Sequence, residues 1–209
     1  MVDTAVIDRL LEPFAKLDEQ QLRATSMYID LLLKWNARVN LTAVRNPEEI
    51  VTRHFGESFF AAKILGAQAY PSSVIDLGSG AGFPGIPIAM LVPEAHVTLI
   101  ESNQKKSTFL KEVAFALGLK NILVFTGRGE SYPDRASLVT MRAVERFEEA
   151  LAIAVRLVAL QGRLALMIGA AQKASATALA GEVEWNDQIS LPGGHSRILL
   201  VGTRTVKVE

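Results

Sequence analysis

Ten residues constrain this chain more than any others: Asp76-Leu-Gly-Ser-Gly-Ala-Gly-Phe-Pro-Gly85. Four of the ten are glycine. The apolar pair Val74-Ile75 precedes them, and the run Ile86-Pro-Ile-Ala-Met-Leu91 follows. Strand, glycine turn and helix in that order make the corner of an α/β sheet where backbone closes on a nucleotide. A Cβ there would strike the ligand or forbid the turn, so glycine is required.

The spacing restricts the ligand. A dinucleotide fingerprint reads G-x-G-x-x-G and cradles a pyrophosphate at a helix N-terminus. Here Gly78, Gly80 and Gly82 alternate, and Phe83 stands where that pattern needs its third glycine. Asp76 closes the first strand. Its carboxylate would repel a pyrophosphate but suits a ligand that carries an ammonium and no phosphate, as S-adenosylmethionine (SAM) does. Glu101 stands 19 residues beyond Gly82, at the end of a second predicted strand that starts at His96, with Ser102 behind it. That placement suits a carboxylate on a ribose diol, which NAD and SAM share. Glu101 therefore indicates an adenosine cofactor, and Asp76 with the alternating glycines favours SAM over NAD.

The 209 residues, 49% of them hydrophobic, are enough for one α/β domain with an extension. With no cysteine, disulfides, thiolate metal sites and cysteine nucleophiles are excluded. Three scattered histidines, His54, His96 and His195, argue against a zinc site, so no metal is expected. Lys+Arg and Asp+Glu are both 22, which excludes a generic nucleic-acid coat and leaves room for a local basic patch. The N-terminus shows no secretory pattern and no apolar run reaches about 18 residues. A soluble, cytoplasmic, monomeric protein off the membrane is expected.

Residues 1–70 have helical periodicity. Asp18 with Gln21 forms a capping-box pattern, and Asn46-Pro47-Glu48-Glu49 sets an N-cap, a first-position proline and acids in the first turn. Tyr70-Pro-Ser-Ser73 marks a boundary. Over 71–209 strands alternate with helices. Strands are expected at 74–77, 97–101, 122–125, 138–141 and 163–168, and helices at 104–117, 145–160 and from strand five to about 180. Two antiparallel strands at 183–189 and 196–201 close the sheet. This is a doubly wound parallel sheet with an N-terminal helical extension. Ligands sit beyond the carboxyl ends of such strands. Candidate site residues are thus Gly78 to Phe83, Glu101 and Ser102, Gly129 and Glu130, and Arg142.

The acceptor chemistry is bounded by what is missing. Methylating cytosine C5 needs a cysteine, and exocyclic amines commonly use an Asn/Asp-Pro-Pro-aromatic loop after strand four. Here that place reads Val139-Thr-Met-Arg-Ala143. Guanine N7 offers a lone pair without a proton, so it needs alignment and no general base. Small-molecule and carboxylate acceptors ask equally little. Arg142 could clamp an RNA phosphate, bond a guanine O6, or pair with Glu145 or Glu130. Lys105, Lys106 and Lys111 form an RNA-facing patch or a solvated helix face. Arg53-His54 reads as a core or interface pair, and Trp35 as packing.

On these motifs the chain resembles the bacterial small-subunit ribosomal RNA guanine-N7 methyltransferases, the glucose-inhibited division protein B family. The match spans nearly the whole chain, and the Phe83-Pro-Gly-Ile-Pro87 tail of the glycine segment is its most specific part. Leu33-Lys-Trp-Asn36, Asn40-Leu-Thr42, Pro47-Glu-Glu-Ile50, Arg53-His-Phe55, Arg142-Ala143 and Leu191-Pro-Gly193 are similarly family-like. The resemblance implies a Rossmann-like class I SAM-dependent methyltransferase that forms 7-methylguanosine at one site in 16S rRNA of the small ribosomal subunit. It places Gly78 and Phe83 in the SAM pocket and Glu101 near the ribose. Gly129 and Glu130 fall near the adenine, and Arg142 near the methyl-transfer site. Three positions depart from the family pattern. Ile168-Gly169 stands where Lys-Gly is usual, Gly129 replaces alanine, and Glu101 replaces aspartate. Three alternatives remain at this level: a SAM enzyme for a small molecule or protein, an NAD-dependent oxidoreductase, and a non-catalytic module.

Overall fold

The computed structural model describes residues 2–67, 69–194 and 196–205. Helix α1 (Thr4–Leu11) and α2 (Glu19–Asn36) open the chain. The expected capping box forms, with Asp18 accepting from the Gln21 amide and the Gln21 side chain returning to Asp18. Asn46 accepts from the amides of Glu48 and Glu49 and starts α3 (Pro47–Glu49). The helix runs on through a π-helical segment (Ile50–Gly56) into α4 (Glu57–Leu65). The wide segment was not legible in the sequence, whose apolar spacing is that of an ordinary helix.

Eight strands form one sheet: β1 (Ser73–Leu77), β2 (His96–Glu101), β3 (Ile122–Thr126), β4 (Ala136–Arg142), β5 (Val158–Gly169), β6 (Val183–Trp185), β7 (Ile189–Ser190) and β8 (Arg197–Arg204). Their order is β3-β2-β1-β4-β5-β8-β6, with β7 also on β8. The pairings β1–β2, β1–β4, β2–β3 and β4–β5 are parallel, and β8 runs antiparallel to β5. The reversal of strand order beside β1 puts the switch point between β1 and β4, where such sheets bind ligands.

Helices α5 (Gly85–Leu91) and α6 (Gln104–Ala116) share one face of the sheet with the N-terminal helices. That layer is a single core, running from Ile7 and Tyr28 through Phe55 and Phe109 to Leu199. Helices α7 (Phe147–Leu157) and α8 (Lys173–Leu179) cover the opposite face over Ile75, Val139 and Leu166. The extension is therefore part of the core, and its packing fixes where it meets the site.

Two expected elements shift. The helix over 145–160 shortens to α7, because Val158 already pairs with Ala136 as the first residue of β5. An apolar stretch such as Val158-Ala-Leu160 fits a buried helix or a buried strand equally well by periodicity. The strand expected over 183–189 is interrupted, and its two pieces both pair with β8. The Gly118 stop after α6 is as expected, with Gly118 at φ +65°.

Candidate active site

The glycine turn is pinned from below. The amides of Gly78 and Ser79 both donate to the Ile100 carbonyl at the end of β2, at 2.9 and 3.0 Å. Gly78, Gly80 and Gly82 all have positive φ: +70°, +56° and +90°. Side chains at two of them would also lack room. A Cβ on Gly78 would lie 2.7 Å from Val144, and one on Gly82 would lie 2.3 Å from the Tyr28 hydroxyl. At Gly80 the nearest atom would be the Gly78 carbonyl at 3.7 Å. Its Cβ direction is open, toward a cleft of about 980 Å³.

Gly78, Gly80, Phe83, Glu101, Ser102, Gly129, Glu130 and Arg142 line this cleft together, as the strand ends required. Asp76 and Gly82 lie outside its wall. Gly82 is spent on packing against Tyr28. Asp76, expected from the sequence to suit a ligand's ammonium, lies beneath the turn with its carboxylate engaged by the protein. It is 1% exposed, accepts from Thr140 Oγ1 at 2.7 Å, and accepts from the Gly85 amide at 3.3 Å. Residues alternate across a strand, and Asp76 shares the face of Val74, away from cleft-lining Leu77. Burial pushes its carboxyl up to about 6, against the hydrogen bonds from Thr140, Ser79 and Gly85. Asp76 is thus a clasp beneath the turn, tying β1 to β4 and to the start of α5.

Glu101 does face the cleft and braces it. Its Oε2 accepts from the Gly80 amide at 2.9 Å and its Oε1 from the Asn103 amide at 2.7 Å. A carboxylate has about four acceptor positions, so two N–H bonds leave room for a diol. Gly129 and Glu130 stand in the short turn after β3 (Gly129–Ser131), with the Gly129 carbonyl accepting from Arg156 at 2.7 Å. A Cβ on Gly129 would approach Leu77 to 2.6 Å and Ile153 to 2.8 Å, so the glycine widens an apolar slot.

The extension supplies the far wall through Thr42, Arg45, Asn46, Arg53 and His54. Phe83 is the hinge of that contact. Its ring stacks on Tyr28 at 5.3 Å and on His54 at 5.1 Å, with Phe55 edge-on at 5.0 Å. His54 Nε2 lies 2.7 Å from Thr42 Oγ1. Burial, reinforced by Arg142, Arg53 and Arg197, lowers its pKa to about 3 and keeps the ring neutral. Trp35 packs as expected, edge-on to Phe109 and donating to Glu112. Lys106 reaches the cleft, whereas Lys105 and Lys111 are exposed.

Arg142 corrects the sequence reading. Its ion-pair partner is neither Glu145 nor Glu130 but Glu57, 2.9 Å away and 1% exposed on the side chain. Its two terminal nitrogens also donate to Ser58 Oγ and to the carbonyls of Arg53 and His54 in the π-helical segment. Burial lowers its pKa while Glu57 raises it. Arg142 joins the end of β4 to the extension. Glu57 takes a second guanidinium on its other oxygen, with Arg197 Nε at 2.8 Å and Nη2 at 2.6 Å. Neither Glu57 nor Arg197 carried a motif signal, because their meeting spans 140 positions. A smaller pocket of about 210 Å³ adjoins the cleft across Arg142, Ala143 and Val144, with Ile168 in its wall.

Among the described residues no group of three His, Asp or Glu side chains could hold a metal, and no helix is long and apolar enough to cross a membrane. His195 lies outside the described residues.

Residues 21–192 match the family described as rRNA small subunit methyltransferase G. A ribosomal RNA small subunit methyltransferase G of Roseiflexus castenholzii is 36% identical over 199 residues, covering 89% of this chain and 84% of the relative. One of Streptococcus agalactiae is 34% identical over 218 residues, covering 96% and 90%. Among solved structures, a SAM-dependent methyltransferase from Aquifex aeolicus superposes with a TM-score of 0.62 at 15% identity, covering 79% of this chain and 97% of that one. A ribosomal protein L11 methylase from Lactobacillus delbrueckii gives 0.61 at 16%, covering 74% and 79%. At such identities these two establish the class I methyltransferase fold and nothing finer. With the family match spanning most of the sequence, this chain belongs to the rRNA small subunit methyltransferase G family.

Proposed function

We propose that this chain transfers a methyl group from SAM to N7 of one guanine in the 16S ribosomal RNA of the small subunit, acting as a single chain. The observation that carries the reading is the pair of adjoining cavities at the carboxyl ends of the strands, which share the wall Arg142 to Val144. One holds the features of an adenosine site and the other leaves room for an acceptor. We place the division between helical extension and methyl-transfer domain at residues 70 and 71, as a division of topology, since the two share a core.

SAM would supply a methyl carbon activated by its sulfonium. The chain's part is to hold that carbon in line with N7 and keep water out. Gly80 lets backbone approach the cofactor, Glu101 is set for the ribose diol, and Leu77, Ile100 and Ile153 give an apolar slot for adenine. Gly129 and Glu130 border that slot. The N7–carbon bond would form as the carbon–sulfur bond breaks, so positive charge would pass to the purine and the chain's residues would have no proton to move. A site whose histidine stays neutral and which lacks a cysteine is adequate for that step.

The test is label transfer from methyl-labelled SAM to small subunits purified from cells without this enzyme. Label in RNA, abolished by prior ribonuclease treatment, supports the reading. Label in protein, or in neither, overturns it.

A further inference from the structure

The smaller pocket and the larger cleft differ in charge. Charges around the cleft come close to balance, and two of its arginines are paired at its rim, Arg53 with Glu49 and Arg146 with Glu149, both at 3.1 Å. The smaller pocket shares Arg53, already paired with Glu49, and Arg142 with the cleft, adds Arg197 as a cation of its own, and has one carboxylate, Glu57. That carboxylate is 1% exposed and already holds two guanidiniums, so it offers nothing to a ligand. Apolar side chains, Met167 and Phe147 among them, also line the pocket. Apolar lining beside a guanidinium fits an unstacked base and its phosphate.

The two central arginines are not equivalent. Arg142 directs both terminal nitrogens inward, to Glu57, Ser58 and two backbone carbonyls. Arg197 gives Nε and Nη2 to a single oxygen of Glu57 and remains 33% exposed on the side chain. Its Nη1 has no protein partner among the described residues. Glu57 thus fixes the Arg197 plane while leaving its outer edge at the pocket. We propose that Arg197, and not Arg142, is the substrate-facing cation of this site. It takes a phosphate of the acceptor RNA beside the base that enters the smaller pocket, with Glu57 as its positioning residue. A phosphate is the better partner than the base itself. A guanidinium on the Hoogsteen edge would compete with methyl transfer to N7 and oppose the charge that develops there.

This inference rests on the RNA-methylating reading, and the test separates the two. Methyl transfer and binding to unmethylated small subunits are measured for the full chain and for Arg197→Ala, Arg197→Lys and Glu57→Gln, with SAM affinity measured in parallel. If wild type labels no RNA, the parent reading fails. If it does, Arg197→Ala is expected to raise KM for subunits about tenfold and to lower the slope of log K against log salt by about one. SAM affinity should stay within about twofold. Arg197→Lys and Glu57→Gln keep the cation, so each should raise KM with the salt slope unchanged, which a merely structural loss would not produce. Unchanged KM in Arg197→Ala overturns the proposal. So does a loss confined to SAM affinity, which would place Arg197 in the cofactor site.

Discussion

Tyr28, on the second helix of the extension, donates its hydroxyl to the Ala81 carbonyl inside the glycine turn and stacks its ring on Phe83 at 5.3 Å. Tyr28 is fully buried, and burial with the nearby Asp76 charge raises its pKa well above 10, so the hydroxyl stays a donor. The segment that most defines the sheet's ligand site is thereby held by residues far upstream. Tyr28→Phe should cost roughly 1–3 kcal/mol, because the Ala81 carbonyl loses its buried partner. It should also weaken SAM binding severalfold. Urea unfolding and calorimetric titration of SAM measure the two effects, and an unchanged SAM affinity would show the turn to be self-supporting.

Gly80→Ala and Gly82→Ala separate a ligand-facing glycine from a packing glycine. Both positions have positive φ, which costs an alanine about 1–2 kcal/mol. At Gly82 the methyl also meets Tyr28 and Ile86, so the larger loss of stability is expected there. At Gly80 the methyl enters the open cleft, so folding should survive while SAM affinity drops at least tenfold. Melting curves and SAM titration on both variants test this pair of outcomes.

Asp76→Asn distinguishes a clasp from a direct ligand contact. An amide can accept from Gly85 and donate to the Thr140 hydroxyl, preserving both links. The folded-state pKa of about 6 lies above the ordinary 3.8, so the folded chain binds the proton more tightly. Stability from this group is therefore greatest below about pH 4 and falls as pH rises to about 6, by at most about 3 kcal/mol. The substitution should remove that decline and keep SAM affinity within a few fold. A loss well beyond tenfold would mean that the carboxylate reaches the cofactor after all.

His54 acts in the opposite direction. Its folded pKa of about 3 lies below the ordinary 6.5, so the unfolded chain takes the proton first. This contribution is fully present above pH 6.5 and is lost as pH falls toward 3, by a few kcal/mol. From about pH 4 to about 6 the two trends oppose and nearly cancel, so the urea midpoint of the unaltered chain should stay nearly flat there. In His54→Gln only the Asp76 decline should remain, and a profile that stays flat or rises with pH would contradict the assignment.

The fold was legible where spacing and chemistry coincide locally. Asp18 with Gln21, Asn46-Pro47, Gly118 and the alternating glycines each announced an element end that the structure shows. Glu101 was legible because a strand end and its distance from the turn define a place. Asp76 was legible as the acid near the end of β1, but the protein partners of its carboxylate were not. A strand position names a face only once the sheet's two layers are known, and the extension had to be seen covering the Val74 face. The Arg142–Glu57–Arg197 cluster left no trace in the sequence, because it joins the extension, β4 and β8 through side chains alone. The π-helical segment was hidden for a related reason. The carbonyls of Arg53 and His54 there are taken by Arg142, a partner nearly ninety positions away.

The most direct measurement is nucleoside analysis of the RNA after methyl transfer from labelled SAM to unmethylated small subunits. One labelled species is expected, 7-methylguanosine, at a single position, with labelling reduced in Gly80→Ala and in Arg197→Ala. Label on any other nucleoside, or 7-methylguanosine formed equally well by both variants, would contradict a SAM site built on Gly80 and an RNA contact made by Arg197.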